Sequence, residues 1–166
     1  MADSRIERLV ADLASEDGMT RVLAREALVL TGEPAVGRLV KALQDKREWM
    51  RWEAAKTLSK IGSPAAARAL IDALEDRMFD VRWLSAEGLI AVGRDALAPL
   101  LHALLARADS VWFREGVHHV LHGIDDRSAK KIIAPVIAAL ESANPSIEVP
   151  LATEAALDAL GHGGIH

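Results

Sequence analysis

The sequence predicts an all-α protein built as a solenoid of five stacked helix pairs. Three observations carry that expectation: a repeat of about 30 residues running the length of the chain, an apolar stripe of helical period inside each unit, and a composition suited to close-packed helices. The repeat is clearest in TRVLAREALVLTG (Thr20 to Gly32), MRWEAAKTLSKIG (Met50 to Gly62), VRWLSAEGLIAVG (Val81 to Gly93) and FREGVHHVLHGID (Phe113 to Asp125). A fifth copy, VPLATEAALDALG (Val149 to Gly161), carries Pro150 in place of the arginine. Arg21, Arg51, Arg82 and Arg114 therefore recur at intervals of 30, 31 and 32 residues.

Each copy reads as the second helix of a pair. Met50, Ala54, Thr57, Leu58 and Ile61 share one stripe of a 3.6-residue period, as do Val81, Ser85, Gly88, Leu89 and Val92. The closing glycine is a helix stop. A first helix precedes each copy, marked by Ile6, Leu9, Val10 and Leu13, and then by Val36, Leu39, Val40 and Leu43. The same theme continues in Ala69, Leu70, Ala73 and Leu74, in Leu97, Leu100, Leu101 and Leu104, and in Ile133, Val136, Ile137 and Leu140. First helices are expected near 4–14, 34–44, 64–75, 95–107 and 129–141, and second helices near 18–31, 48–61, 79–92, 111–124 and 147–160. The repeats then cover 1–32, 33–62, 63–93, 94–125 and 126–161, a single domain over 1–166 with a tail at 162–166. Glu33-Pro34 and Ser63-Pro64 read as an N-cap followed by proline at the first helical position, and Ser110 and Ser146 as further N-caps. Pro99 and Pro135 lie within first helices, and Pro150 in the first turn or so of the last helix. The linker inside each pair is expected to lengthen toward the C-terminus, and 124–129 adds residues between the fourth and fifth pairs.

Composition narrows the function classes. Of the 166 residues 51% are hydrophobic, yet there are only two Phe, four Trp and no Tyr, so Ala and Leu do the filling. A net charge of −4 with both signs scattered gives no electrostatic footprint for nucleic acid. No run reads as a membrane span or signal peptide, and the absence of cysteine removes disulfides, thiolate metal sites and cysteine nucleophiles together. A cytoplasmic protein is expected.

The pattern resembles HEAT repeats, in particular the short PBS-lyase HEAT-like type. The resemblance rests on Asp45 and Asp76 six positions before Arg51 and Arg82, the pairs Met50-Arg51, Val81-Arg82 and Phe113-Arg114, the Ala-rich second helix and the closing glycine. It implies a right-handed superhelix whose second helices line the concave face, with an Asp–Arg ladder between neighbouring repeats. It implies little about function, because this repeat serves scaffolds, adaptors and a few enzymes.

Shared positions build the stack, so function is sought at unshared ones. All four tryptophans fall two residues before or one after the repeat arginine, which puts Trp49, Trp52, Trp83 and Trp112 on the face turned from the core stripe. With Glu53, Lys56 and Glu87 as a polar rim, this face is the candidate partner-binding surface of a scaffold or adaptor that takes a protein or peptide segment. The alternative use of the same rings is to pack between adjacent helices.

A second irregularity is the fourth repeat. Glu115, His119 and His122 lie at i, i+4 and i+7, and Glu87 occupies the position equivalent to His119 one repeat earlier, a candidate set for Fe, Zn or Mn. The expected cofactor is nonetheless none, because surface histidines commonly cluster without metal. The HEAT-repeat enzyme deoxyhypusine hydroxylase uses His-Glu dipeptides one and two residues past the arginine position. Here those positions read Val22-Leu23, Trp52-Glu53, Trp83-Leu84, Glu115-Gly116 and Leu151-Ala152, none of them His-Glu, which argues against that activity. The phycobilin lyases suggest a tetrapyrrole as the other alternative, a bilin in a tryptophan-lined groove, although no residue set singles out that chemistry. The Ala- and Leu-rich end of the stack (Ala155, Ala156, Ala159, Leu160) is a candidate surface for self-association.

Overall fold

The computed structural model describes residues 2–162, and among them the chain is all helical, with no strand. The first two pairs are α1 (Ala2–Asp12) with α2 (Gly18–Thr31), and α3 (Glu33–Ala42) with α4 (Glu48–Ile61). A 3-10 turn, Pro64–Ala66, leads into α5 (Ala67–Ala73), which pairs with α6 (Phe79–Val92). A second such turn, Gly93–Ala96, leads into α7 (Leu97–Ala106), paired with α8 (Val111–Gly123). Helices α9 (Arg127–Leu140) and α10 (Pro145–His162) complete the chain, and the expected tail from residue 163 lies outside the described residues. The bounds follow the sequence expectation closely because the stripes are what the core selects: Leu13, Leu28, Leu39, Leu58, Leu70, Leu74, Leu89, Leu97 and Leu104 are all fully buried.

Several local expectations are corrected. The N-cap of α3 is Gly32, so Glu33 lies in the first turn, where a carboxylate favours the helix dipole. Helix α10 begins at Pro145, so Ser146 is inside it and Pro150 sits beyond the first turn. The linkers within pairs do not lengthen: they run over 13–17, 43–47 and 74–78, and then over 107–110 and 141–144. Ser63 and Ser110 do cap, accepting from Ala65 N–H and Phe113 N–H. Gly32, Gly62 and Gly93 end their helices with φ of 70°, 66° and 74°, a region that disfavours any Cβ. The apolar stretch Phe79–Ala106 is broken at Gly93, and neither α6 nor α7 reaches the ~20 residues of a membrane span.

The repeat arginine has a common role. From the first turn of the second helix its guanidinium reaches back to the linker and donates to backbone carbonyls five and six residues earlier. Arg21 takes Ser15 and Glu16, Arg51 takes Asp45 and Lys46, Arg82 takes Asp76 and Arg77, and Arg114 takes Ala108. These carbonyls have no helical partner, so the arginine satisfies the turn and fixes the angle of the pair. The inter-repeat ladder is realised at one rung. Arg51 holds the Asp76 carboxylate with two bonds, Nε at 2.7 Å and Nη2 at 3.1 Å. Asp45 instead closes on its neighbour Arg47, and Arg82 stacks on the Trp112 ring at 4.3 Å.

The pairs stack in two layers, α1–α3–α5–α7 and α2–α4–α6–α8, each helix beside the equivalent helix of the next pair, except that α3 meets the third pair chiefly through the turn Pro64–Ala66. The last pair leaves this register. The principal neighbours of α10 are α9 and α7, while α8 is met by α9. A ladder of second helices through the fifth repeat is therefore replaced by a pair set across the end of the stack.

Candidate partner-binding face

The α2–α4–α6–α8 layer carries the tryptophans, and the position within the repeat decides the exposure of each. Trp49 and Trp112, two residues before the arginine, are 52% and 46% exposed, and Trp83, one residue after it, is 47% exposed. Trp52 occupies the same position as Trp83 but is half-buried and packs against the core, with the Arg25 guanidinium 5.7 Å from its ring. The two uses expected for the rings are thus divided: three present a face, and one thickens the core.

Two residues after the arginine the chain faces the preceding second helix. Glu53 there is 4% exposed, not a solvated rim residue, and its carboxylate pairs with Arg25 at 2.6 Å and Arg21 at 3.4 Å on α2. Leu84, at the same position on α6, is buried as well. Leu23 on α2, the first helix of the layer, has no earlier one to meet and is exposed. Lys56 is half-buried, and Glu87 accepts a 2.7 Å bond from His119 Nε2.

The face is wider than the tryptophans. Met19, Leu23, Phe79 and Val111 are exposed apolar side chains on α2, α6 and α8. For Met19, Phe79 and Val111 the sequence signal is an apolar residue in the first turn off the core stripe, while Leu23 lies in the second turn. The centre of the face is a cleft of about 180 Å³ between α6 and α8, lined by Phe79, Trp83, Trp112, Glu115 and His119 among others. Trp83 stacks on His119 with centroids 4.3 Å apart, and Phe79 lies 6.2 Å from Trp83. Arg82 bridges the floor, over Trp112 at 4.3 Å and Phe79 at 5.7 Å. Each ring is held by a neighbour, so the cleft is preorganised and a ligand would pay little ordering entropy.

The histidine set is divided by the fold. His119 lines this cleft and is held by Glu87, and Glu115 is exposed on its edge. His122 points elsewhere, toward His118 and Glu141, so Glu87, Glu115, His119 and His122 do not converge as one ligand set. On α10, Ala155 and Ala159 are exposed while Ala156 is buried and Leu160 half-buried, and the larger apolar side chains exposed there are Ile147 and Leu151.

A sequence profile described as HEAT repeats matches residues 6–90, about half of the chain. The chain belongs to the HEAT-repeat family. No curated protein matches it significantly. Among solved structures, this HEAT-repeat chain is similar to one in the complex of CpcE and CpcF of phycocyanin lyase from Nostoc sp. PCC7120. There the TM-score is 0.57 at 24% identity, covering 92% of this chain and 98% of that one. An engineered protein matches at a TM-score of 0.49 and 19% identity, over 92% of this chain and 77% of that one. The likeness to the CpcE–CpcF complex shows the α-solenoid fold.

Proposed function

We propose that this HEAT-repeat chain is a non-catalytic interaction module that holds a segment of a partner protein along the concave groove formed by α2, α4, α6 and α8. The observation that carries the proposal is the run of half-exposed aromatic side chains on one layer, Trp49, Phe79, Trp83 and Trp112, where a soluble stack would otherwise present polar residues. The size of the central cleft, about 180 Å³, supports a side-chain-sized occupant over a tetrapyrrole, since small-molecule sites run to roughly 300–1,000 Å³. Lys56, Glu87 and Glu115 supply charge around the apolar strip, as the rim of a protein interface does. That the similar solved structure is a complex of two proteins supports a protein as the ligand.

The test is capture of a partner from extract of the source organism, followed by binding of that partner to single variants. Trp83→Ala and Trp112→Ala are expected to weaken binding by at least about 30-fold, the cost of losing a hot spot of ~2 kcal/mol. Their melting temperatures should stay near that of the parent, because about half of each ring already lies in water. Trp52→Ala is a poor probe because its ring packs on the core. Variants that melt well below the parent while still capturing the partner would sink the reading.

A further inference from the structure

Away from the tryptophan cleft, α8 presents His118 and His122 one turn apart, and the turn after α9 brings Glu141 against both. His118 Nε2 lies 2.7 Å from Glu141 Oε1, His122 Nε2 lies 3.2 Å from the same oxygen, and the two Nε2 atoms are 3.2 Å apart. Three potential donor atoms thus form a small triangle at the surface. Protons alone cannot satisfy it. A carboxylate oxygen only accepts, so each imidazole must carry its proton on Nε2 to bond Glu141, and the two N–H groups then confront each other at 3.2 Å with no lone pair between them. A cation at the centre removes the conflict. Both imidazoles turn neutral lone pairs inward, and the carboxylate supplies the third.

The dimensions fit that alternative. Four-coordinate zinc, with bonds of ~2.1 Å to nitrogen and oxygen, spaces its ligands by roughly 3.4 Å. The sides of the triangle, 2.7, 3.2 and 3.2 Å, approach that figure, and the exposed side chains are free to open the short side. Two imidazoles and one carboxylate suit borderline transition metals, whereas Mg²⁺ and Ca²⁺ prefer all-oxygen sets.

We propose that His118, His122 and Glu141 form a binding site for a divalent transition-metal ion of the zinc class, with a fourth position open to water. The site bridges the place where the last pair leaves the regular stack. Glu141 belongs to the turn joining α9 to α10, and α8 is the last helix in its layer. A bound ion is a clamp between the fourth and fifth pairs and raises the free energy of detaching the last pair by its own binding free energy. This inference is independent of the interaction face, because none of its three residues lines the tryptophan cleft.

The experiment uses the full chain without an affinity tag, stripped by chelator, titrated calorimetrically with Zn²⁺ and followed in parallel by the visible spectrum of Co²⁺. Expected are one equivalent bound, a higher melting temperature with Zn²⁺, and no such rise with Mg²⁺. His118→Asn and Glu141→Gln should each weaken binding by at least about tenfold and abolish the thermal shift, with unchanged helical circular dichroism. His119→Asn, and His162→Ala combined with His166→Ala, should bind as the parent does. The proposal is overturned if the parent shows no saturable site, if His118→Asn binds as well as the parent, or if His119→Asn or the tail variant loses the site instead.

Discussion

Arginine at the repeat position illustrates how much one side chain does here. Arg51 satisfies two linker carbonyls and also holds Asp76 of the next repeat, with side-chain exposures of 9% and 10% for the pair. The Asp76 hydrogen bond raises the Arg51 pKa above its ordinary value. Removing one member of a buried pair strands the other, so Asp76→Ala is expected to cost ~3 kcal/mol of stability in urea denaturation. The double variant with Arg51→Met should not recover that loss, because the linker carbonyls of Asp45 and Lys46 then lose their donor as well. A cost near zero would mean that the pair is fully solvated. Glu53 follows the same physics, since two arginines from α2 neutralise a carboxylate buried between second helices. Its type and spacing read as a solvated rim, because sequence places a residue on a helix face without saying which neighbour covers that face.

Helices approach one another where side chains are absent, and the glycines inside elements divide accordingly. A Cβ on Gly123 at the end of α8 would lie 2.7 Å from Ile90 Cγ1 on α6, closer still to Ile90 Cδ1. One on Gly37 in α3 would meet nothing within 4 Å. Two alanine substitutions should therefore change stability with opposite signs. Gly123→Ala is expected to destabilise by about 1–3 kcal/mol through overpacking, with partial rescue by Ile90→Val. Gly37→Ala should stabilise by roughly 0.5–1 kcal/mol by restricting the unfolded chain within an exposed helical turn. Matched thermal melts decide this, and equal shifts for the two would refute the close-approach explanation.

Across the whole molecule, carboxylates at caps and turns tie the pairs together and make the stack acid-sensitive. Hydrogen bonds from the Arg47 side chain, then from its backbone N–H, hold Asp45 at about 2. Asp17 and Asp126, which cap α2 and α9, are also lowered, by Thr20 and Ser128 foremost. Hydrogen bonds from His118 and His122 lower Glu141. A carboxylate whose folded value is depressed contributes fully above its unfolded value, near 3.9 for aspartate, and loses the contribution as pH falls through the folded one. Asp45→Asn should therefore unfold with a shallower pH dependence than the parent between about 4 and 2, measured by circular dichroism in fixed urea. Superposable profiles for the two would exclude Asp45 as a contributor.

Sequence by itself determined the five helix pairs, most of the helix bounds, the core stripes and the glycine stops at Gly32, Gly62 and Gly93. Each follows from local periodicity or from a backbone conformation that a short segment dictates. It also placed all four tryptophans in the layer of second helices, because their position relative to the arginine is local. Tertiary structure alone decided that Trp52 turns to the core while Trp49, Trp83 and Trp112 face water, since the neighbouring repeat sets which positions are covered. It likewise decided that His122 meets Glu141 rather than Glu115 and His119. That contact joins residues 19 apart in sequence, and it depends on the last pair crossing the end of the stack, a displacement that no helical period records.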